Sequence, residues 1–205
     1  MGDRLRIVAL GDSTTAGTPG YRSPLEAPPS GRGNPESQYA FWIMKVHPEW
    51  EVLNRGVNGE RSDEIRARFA RDVLEARPGY AIVLAGVNDV YQGRLPRDVR
   101  RHLAPMYAEA IDAGVVPLAA TILPFDTATD RNTLAIREVN RWIQTTAATL
   151  GIPSCDTAAA VANPRDPTKL RSSPDGLHPD VDGYRRMGEA LAATLEADMR
   201  RRGRA

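Results

Sequence analysis

"LRIVALGDSTTAG", residues 5–17, decides how the chain folds. Its first six residues form a short, mostly apolar run that stops at a glycine, as a strand buried on both faces does. The segment "GDSTTAG" then puts Ser13 just past the end of that strand. A serine in that position is a turn residue, part of a phosphate-binding glycine loop, or a nucleophile. The rest of the chain has to decide between them.

Four further short apolar runs follow: "EVLN" (51–54), "YAIVLAG" (80–86), "VVPLAATI" (115–122) and "IPSCD" (152–156). Helical patterns lie between them. "SQYAFWIMKVH" (37–47) is one. In "SDEIRARFARDVLEA" (62–76), Ile65, Phe69 and Val73 recur every fourth residue, and Ser62 offers an N-terminal cap. "RDVRRHLAPMYAEAIDAG" (97–114) carries a stripe through Val99, Leu103, Met106 and Ala110, with a kink or break expected at Pro105. "TLAIREVNRWIQTTAATLG" (133–151) ends at a glycine, and "YRRMGEALAATLEADM" (184–199) closes the chain. Five strand–helix units in succession predict an α/β protein: a three-layer α/β/α sandwich around a five-stranded parallel sheet. The expected strand order is flavodoxin-like, 2-1-3-4-5. One domain spanning residues 1–205 is expected.

Composition excludes several classes of function. With 41% hydrophobic and 26% charged residues, the 205-residue chain resembles a soluble globular protein. Its net charge of +1 implies no general affinity for nucleic acid or anionic membrane. No apolar run approaches the ~20 residues of a membrane span. No signal-peptide core precedes the first strand, so the sequence as it stands is expected to be cytoplasmic. Its single cysteine, Cys155, excludes an internal disulfide framework and is expected in the core. No H-E-x-x-H segment or cysteine cluster suggests a metal.

Ligands of such sheets bind beyond the carboxyl ends of the strands. Four loops open there: "GDSTTAG" with Ser13, "NRGVNGERS" (54–62) with Gly56 and Gly59, "GVNDVYQG" (86–93) with Asn88, and "SSPDGLHPDVDGY" (172–184) with Asp175 and His178. Each supplies a part that acyl transfer needs. A serine hydroxyl requires a base, and His178 is the candidate, since His47 and His102 fall on helices. Asp175, three residues earlier, can fix the imidazole tautomer. The Ser13 amide, a glycine amide and the Asn88 side chain can face an oxyanion. Spacing alone does not choose between Gly56 and Gly59. Rival readings fail on residue type: G-x-G-x-x-G, Gly-Lys-Ser/Thr and G-x-S-x-G are all absent. Asp12 and Asp89 are expected to accept backbone hydrogen bonds and hold their loops.

With these blocks in this order, the chain resembles the GDSL/SGNH hydrolase superfamily over residues 5 to about 195. The resemblance implies Ser13 as nucleophile, His178 as base and Asp175 as its partner. It implies an oxyanion hole of Ser13, Gly59 and Asn88, choosing Gly59 by the family's N-x-x-x-x-G spacing from Asn54. It implies a small-molecule ester as substrate; no metal and no cofactor are expected. Thr14 stands where the family often has leucine, which is expected to alter the pocket floor.

The Pro/Gly-rich loop 18–36 has no periodicity and is expected to border the pocket. Tyr21, Arg22 and Leu25 are its candidate substrate contacts, and Phe125 and Val161 are candidate lining residues from later loops. None of these loops suggests a long apolar channel, so short acyl groups are expected. The resemblance implies a carboxylic ester hydrolase, whether arylesterase, short-chain esterase, lysophospholipase/thioesterase or carbohydrate deacetylase, with a small-acyl esterase acting on acetyl esters of sugars as the first choice. Two alternatives remain on the same fold: an acyltransferase, which needs an acceptor site, and a non-catalytic carbohydrate-binding protein, which would not need the full residue set.

Overall fold

The computed structural model describes residues 4–203, so residues 1–3 and 204–205 of the expected domain lie outside the described residues. Seven strands form. They are β1 (Leu5–Gly11), β2 (Tyr21–Arg22), β3 (Arg32–Gly33), β4 (Trp50–Gly56), β5 (Tyr80–Leu84), β6 (Val116–Ala120) and β7 (Ser154–Cys155). Five of them make one sheet in the order β4-β1-β5-β6-β7, parallel throughout. Numbered within that sheet alone, this is the expected 2-1-3-4-5.

Side chains alternate across β1 with the period of two that a strand imposes. Ile7 and Ala9 enter one core; Val8 and Leu10 enter the other. The first core is closed by α2 (Tyr39–Val46) and α8 (Val181–Arg201), through Tyr39, Ile43, Tyr184 and Leu191. The second is closed by α3 (Ser62–Ala67), α5 (Pro96–Asp112) and α6 (Asp130–Leu150), through Ile65, Leu103 and Val139. The central strands β5 and β6 are buried along their whole length, whereas edge strand β4 alternates buried and half-buried residues. Three short helices sit at the carboxyl edge: α1 (Ser13–Ala16), α4 (Val87–Tyr91) and α7 (Thr157–Val161).

Four local expectations are corrected. The helix expected over 62–76 stops at Ala67 and resumes as a π-helical turn over Ala70–Leu74. Arg68, at the break, turns its guanidinium inward. Pro105 does not break α5. It removes the donor for the Arg101 carbonyl, but that residue is exposed and water can serve it. The last strand shrinks to Ser154–Cys155, because Pro153 has no N–H to give the ladder and contributes only its carbonyl, to Ala119 N. Loop 18–36 is also less irregular than expected, since β2 and β3 pair antiparallel within it.

Candidate active site

Ser13 opens α1 immediately after β1. Asp12 caps that turn by accepting from Thr14 N at 2.9 Å, and Gly17, at φ 104°, ends it. The turn must pass close to β4. A Cβ on Gly56 would lie 2.1 Å from Ala16 N, so Gly56 is needed for that approach. Gly59, by contrast, has open space around it and lines the pocket. The two glycines that spacing left open therefore hold different positions.

His178 comes from the far end of the chain. Asp175 Oδ1 accepts from Leu177 N (2.9 Å) and His178 N (2.8 Å), and Ser173 Oγ donates to the His178 carbonyl at 2.6 Å. This tight turn aims the imidazole. Nδ1 lies 2.7 Å from Asp175 Oδ2, and Nε2 lies 2.7 Å from Ser13 Oγ. An ionised carboxylate only accepts, so Nδ1 carries the proton and Nε2 is the free lone pair facing Ser13 O–H. Burial pulls the Asp175 carboxyl up, but the His178 side chain and the two backbone amides outweigh it and hold it below its ordinary value.

Asn88 stands on α4 after β5. Its Nδ2 donates to the Glu60 carbonyl at 2.9 Å, which fixes the amide and leaves its second N–H for the pocket. Asp89 ties the same two loops together. Its carboxylate accepts from Ser62 N (2.8 Å) and Ser62 Oγ (2.7 Å). Asp12 and Asp89 thus accept backbone hydrogen bonds, as expected of them.

Ser13, His178, Gly59 and Asn88 line one cavity of about 240 Å³. Thr14, Thr18 and Asn58 lie on it too, with Val87, Tyr91, Phe125 and Leu177. A larger groove of about 400 Å³ beside α6 holds none of the candidate catalytic residues.

Of the substrate-contact candidates, only Phe125 lines the cavity. Tyr21, Arg22 and Leu25 are outside it, because loop 18–36 folds on itself. Tyr21 O–H donates to the Ser30 carbonyl, and Arg22 pairs with Arg32 across β2 and β3. Val161 is outside as well, buried in the core beneath α8. The loop's contribution to the lining is Thr18.

Sequence reasoning missed Arg68. Its guanidinium, nearly buried, donates to the carbonyls of Gly11 (2.8 Å) and Arg55 (2.8 Å), to Asp72 Oδ2 (2.6 Å) and to Glu60 Oε2 (2.6 Å). It therefore clamps the ends of β1 and β4, one residue before Asp12 and beside the loop that carries Gly59. Through Glu60 it also braces the residue whose carbonyl holds Asn88. The i,i+4 spacing of Arg68 and Asp72 beside the apolar stripe was the available signal.

Asp12 carries an unusual burden. Its Oδ2 is buried with no hydrogen-bond partner, and burial pushes its carboxyl up to about 7. The folded protein therefore holds this proton where the unfolded chain has released it. Stability contributed at Asp12 is lost as pH rises from about 4 to about 7, and the loss levels off above that. Asp12→Asn keeps the oxygen that Thr14 N needs and cannot ionise. Urea midpoints measured across this range are expected to fall less with rising pH in the variant than in the wild type. Parallel curves would contradict this.

A hydroxyl, an imidazole and a carboxylate stand in series beside an amide-lined cavity at a sheet edge, the arrangement that nucleophilic acyl transfer requires. Comparison with known proteins shows the family. The model of the GDSL-like Lipase/Acylhydrolase family matches residues 9–186. A G-D-S-L family protein from Desulfitobacterium hafniense DCB-2 superposes with a TM-score of 0.77 at 25% identity, over 93% of this chain and 99% of that one. The acetylxylan esterase Axe2 of Geobacillus stearothermophilus superposes with a TM-score of 0.74 at 20% identity, over 95% of each chain. In sequence, YqeF, an uncharacterized lipoprotein of Bacillus subtilis (strain 168), is 30% identical over 128 residues. An acetylxylan esterase of Geobacillus stearothermophilus is 25% identical over 119. These matches cover 58% and 50% of this chain and 48% of each relative, so they span about half of those proteins. The chain belongs to the GDSL-like lipase/acylhydrolase family.

Proposed function

We propose that the protein hydrolyses carboxylic esters with short acyl groups, acetyl esters of carbohydrates foremost, through an acyl-enzyme on Ser13. The observation that carries this reading is the unbroken relay from Ser13 Oγ through His178 to Asp175, at 2.7 Å for each link. Ser13 Oγ attacks the ester carbonyl as its proton passes to His178 Nε2. Negative charge develops on the carbonyl oxygen and faces the amides of Ser13 and Gly59 and the free N–H of Asn88. The tetrahedral intermediate collapses, the alcohol leaves with the proton from Nε2, and Ser13 keeps the acyl group. Water then attacks that ester, giving its proton to Nε2, and the acid leaves as Ser13 recovers its hydrogen.

The size of the cavity supports the short acyl group. At about 240 Å³ it lies below the ~300–1,000 Å³ usual for pockets that enclose drug-sized ligands. The likeness to acetylxylan esterases supports an acetyl ester of a sugar as the first choice. A series of p-nitrophenyl esters, with Ser13→Ala as blank, tests the acyl length. kcat/KM is expected to fall from acetate to octanoate. A rise along the series would overturn the short-acyl reading.

A further inference from the structure

We infer that Leu177, Phe125 and Tyr91 form the subsite for the alcohol half of the ester, and that it takes a ring presenting a flat apolar face. The inference rests on the esterase reading, because His178 has to deliver its proton to the departing alcohol oxygen. The alcohol therefore lies on the His178 side of the carbonyl.

The apolar wall is built outward from that side. Leu177 precedes His178 in the same turn. The carbonyl of Gly176 accepts from Asp126 N at 2.8 Å, which stitches the segment of Phe125 to the histidine loop. The Phe125 ring, only 2% exposed, meets the Tyr91 ring edge-on, with centroids 5.6 Å apart and planes at 67°. Tyr91 also lines the cavity and is 55% exposed. A large aromatic ring held by one neighbour and open to solvent otherwise is a platform for another ring.

Two other lining residues differ in character. Thr18, whose N–H bonds the Ser13 carbonyl, gives its hydroxyl proton to Asn58 Oδ1 at 2.7 Å. These two polar residues sit beside Gly59 and offer no apolar trough for an extended acyl chain. The cavity thus combines polar residues beside Gly59, suited to a small acyl group, with an aromatic pair joined to the His178 loop, suited to a ring. An aryl group and the C–H face of a pyranose share that surface chemistry.

The test compares Tyr91→Ala and Tyr91→Phe with the wild type on phenyl acetate, an acetylated xylopyranoside and ethyl acetate, and on phenyl butyrate. Tyr91→Ala is expected to lose about tenfold more kcat/KM on at least one ring acetate than on ethyl acetate, mainly through KM. Tyr91→Phe, which keeps the ring, should restore the preference. The ratio of phenyl acetate to phenyl butyrate should not change. Which ring ester suffers more tells an aryl from a pyranosyl alcohol. Equal losses on all three acetates, or a loss that follows acyl length, would overturn the subsite while leaving the esterase reading intact. No turnover of any acetate by the wild type would remove the esterase reading and the subsite with it.

Discussion

Ser13→Ala is expected to lower turnover of p-nitrophenyl acetate by about 10⁴-fold or more, with a nearly unchanged KM. The substitution deletes one oxygen. Ser13 is 8% exposed and its backbone, rather than its hydroxyl, holds the turn: its carbonyl accepts from Gly17 N and Thr18 N at 3.0 Å each. The α1 turn and the cavity should survive. What disappears is the atom that becomes acylated, and no second hydroxyl stands 2.7 Å from His178 Nε2 among the described residues. Water activated directly by His178 would leave only the residual rate that binding and oxyanion donors supply. Steady-state kinetics on the purified variant, beside a thermal melt showing it folded, checks this. Wild-type turnover by a folded variant would reject Ser13 as nucleophile.

Asp175→Asn is expected to cost about 10³–10⁴-fold in kcat while the fold persists. The asparagine oxygen can still accept from Leu177 N and His178 N, as Asp175 Oδ1 does. Its Nδ2 then occupies the place of Oδ2 and points a hydrogen at His178 Nδ1. That nitrogen must accept, so the ring proton moves to Nε2, where the lone pair is needed. The imidazole also loses the negative charge that stabilises it once protonated. Kinetics measured at several pH values separates this from a local unfolding, because raising the pH cannot restore the lost tautomer. A loss under tenfold would mean that Asp175 does not set the proton's position.

Much of this was legible because few physical constraints produce it. Buried parallel strands are short and apolar on both faces, which "YAIVLAG" is and "LRIVAL" is apart from Arg6. Right-handed crossovers and the carboxyl-edge rule then place Ser13, Asn88 and His178 on one side of the sheet before any distance is known. The structure adds what spacing cannot hold. Arg68 lies in the run "RARFARD" with two other arginines; its i,i+4 spacing to Asp72 marks a pair, but only packing shows that its guanidinium reaches the carbonyls of Gly11 and Arg55. The path of loop 18–36 depends on Ser23 Oγ reaching the Gly56 carbonyl at 2.6 Å and Tyr184 O–H reaching that of Thr18 at 2.7 Å. Both are long-range contacts with no sequence period, so Tyr21, Arg22 and Leu25 were expected at a pocket that only Thr18 reaches. Tyr91 and Leu177 were adjacent to recognised motifs, but adjacency does not say which way a side chain points.

The central claim is that one serine, at the end of the first strand, carries the chemistry. The most direct measurement is stoichiometric reaction with a fluorophosphonate, followed by peptide mass spectrometry. One adduct per chain is predicted, on the peptide containing Ser13, absent from Ser13→Ala and slowed in Asp175→Asn. Absence of labelling in the folded wild type, or an adduct on another residue that persists in Ser13→Ala, would contradict it.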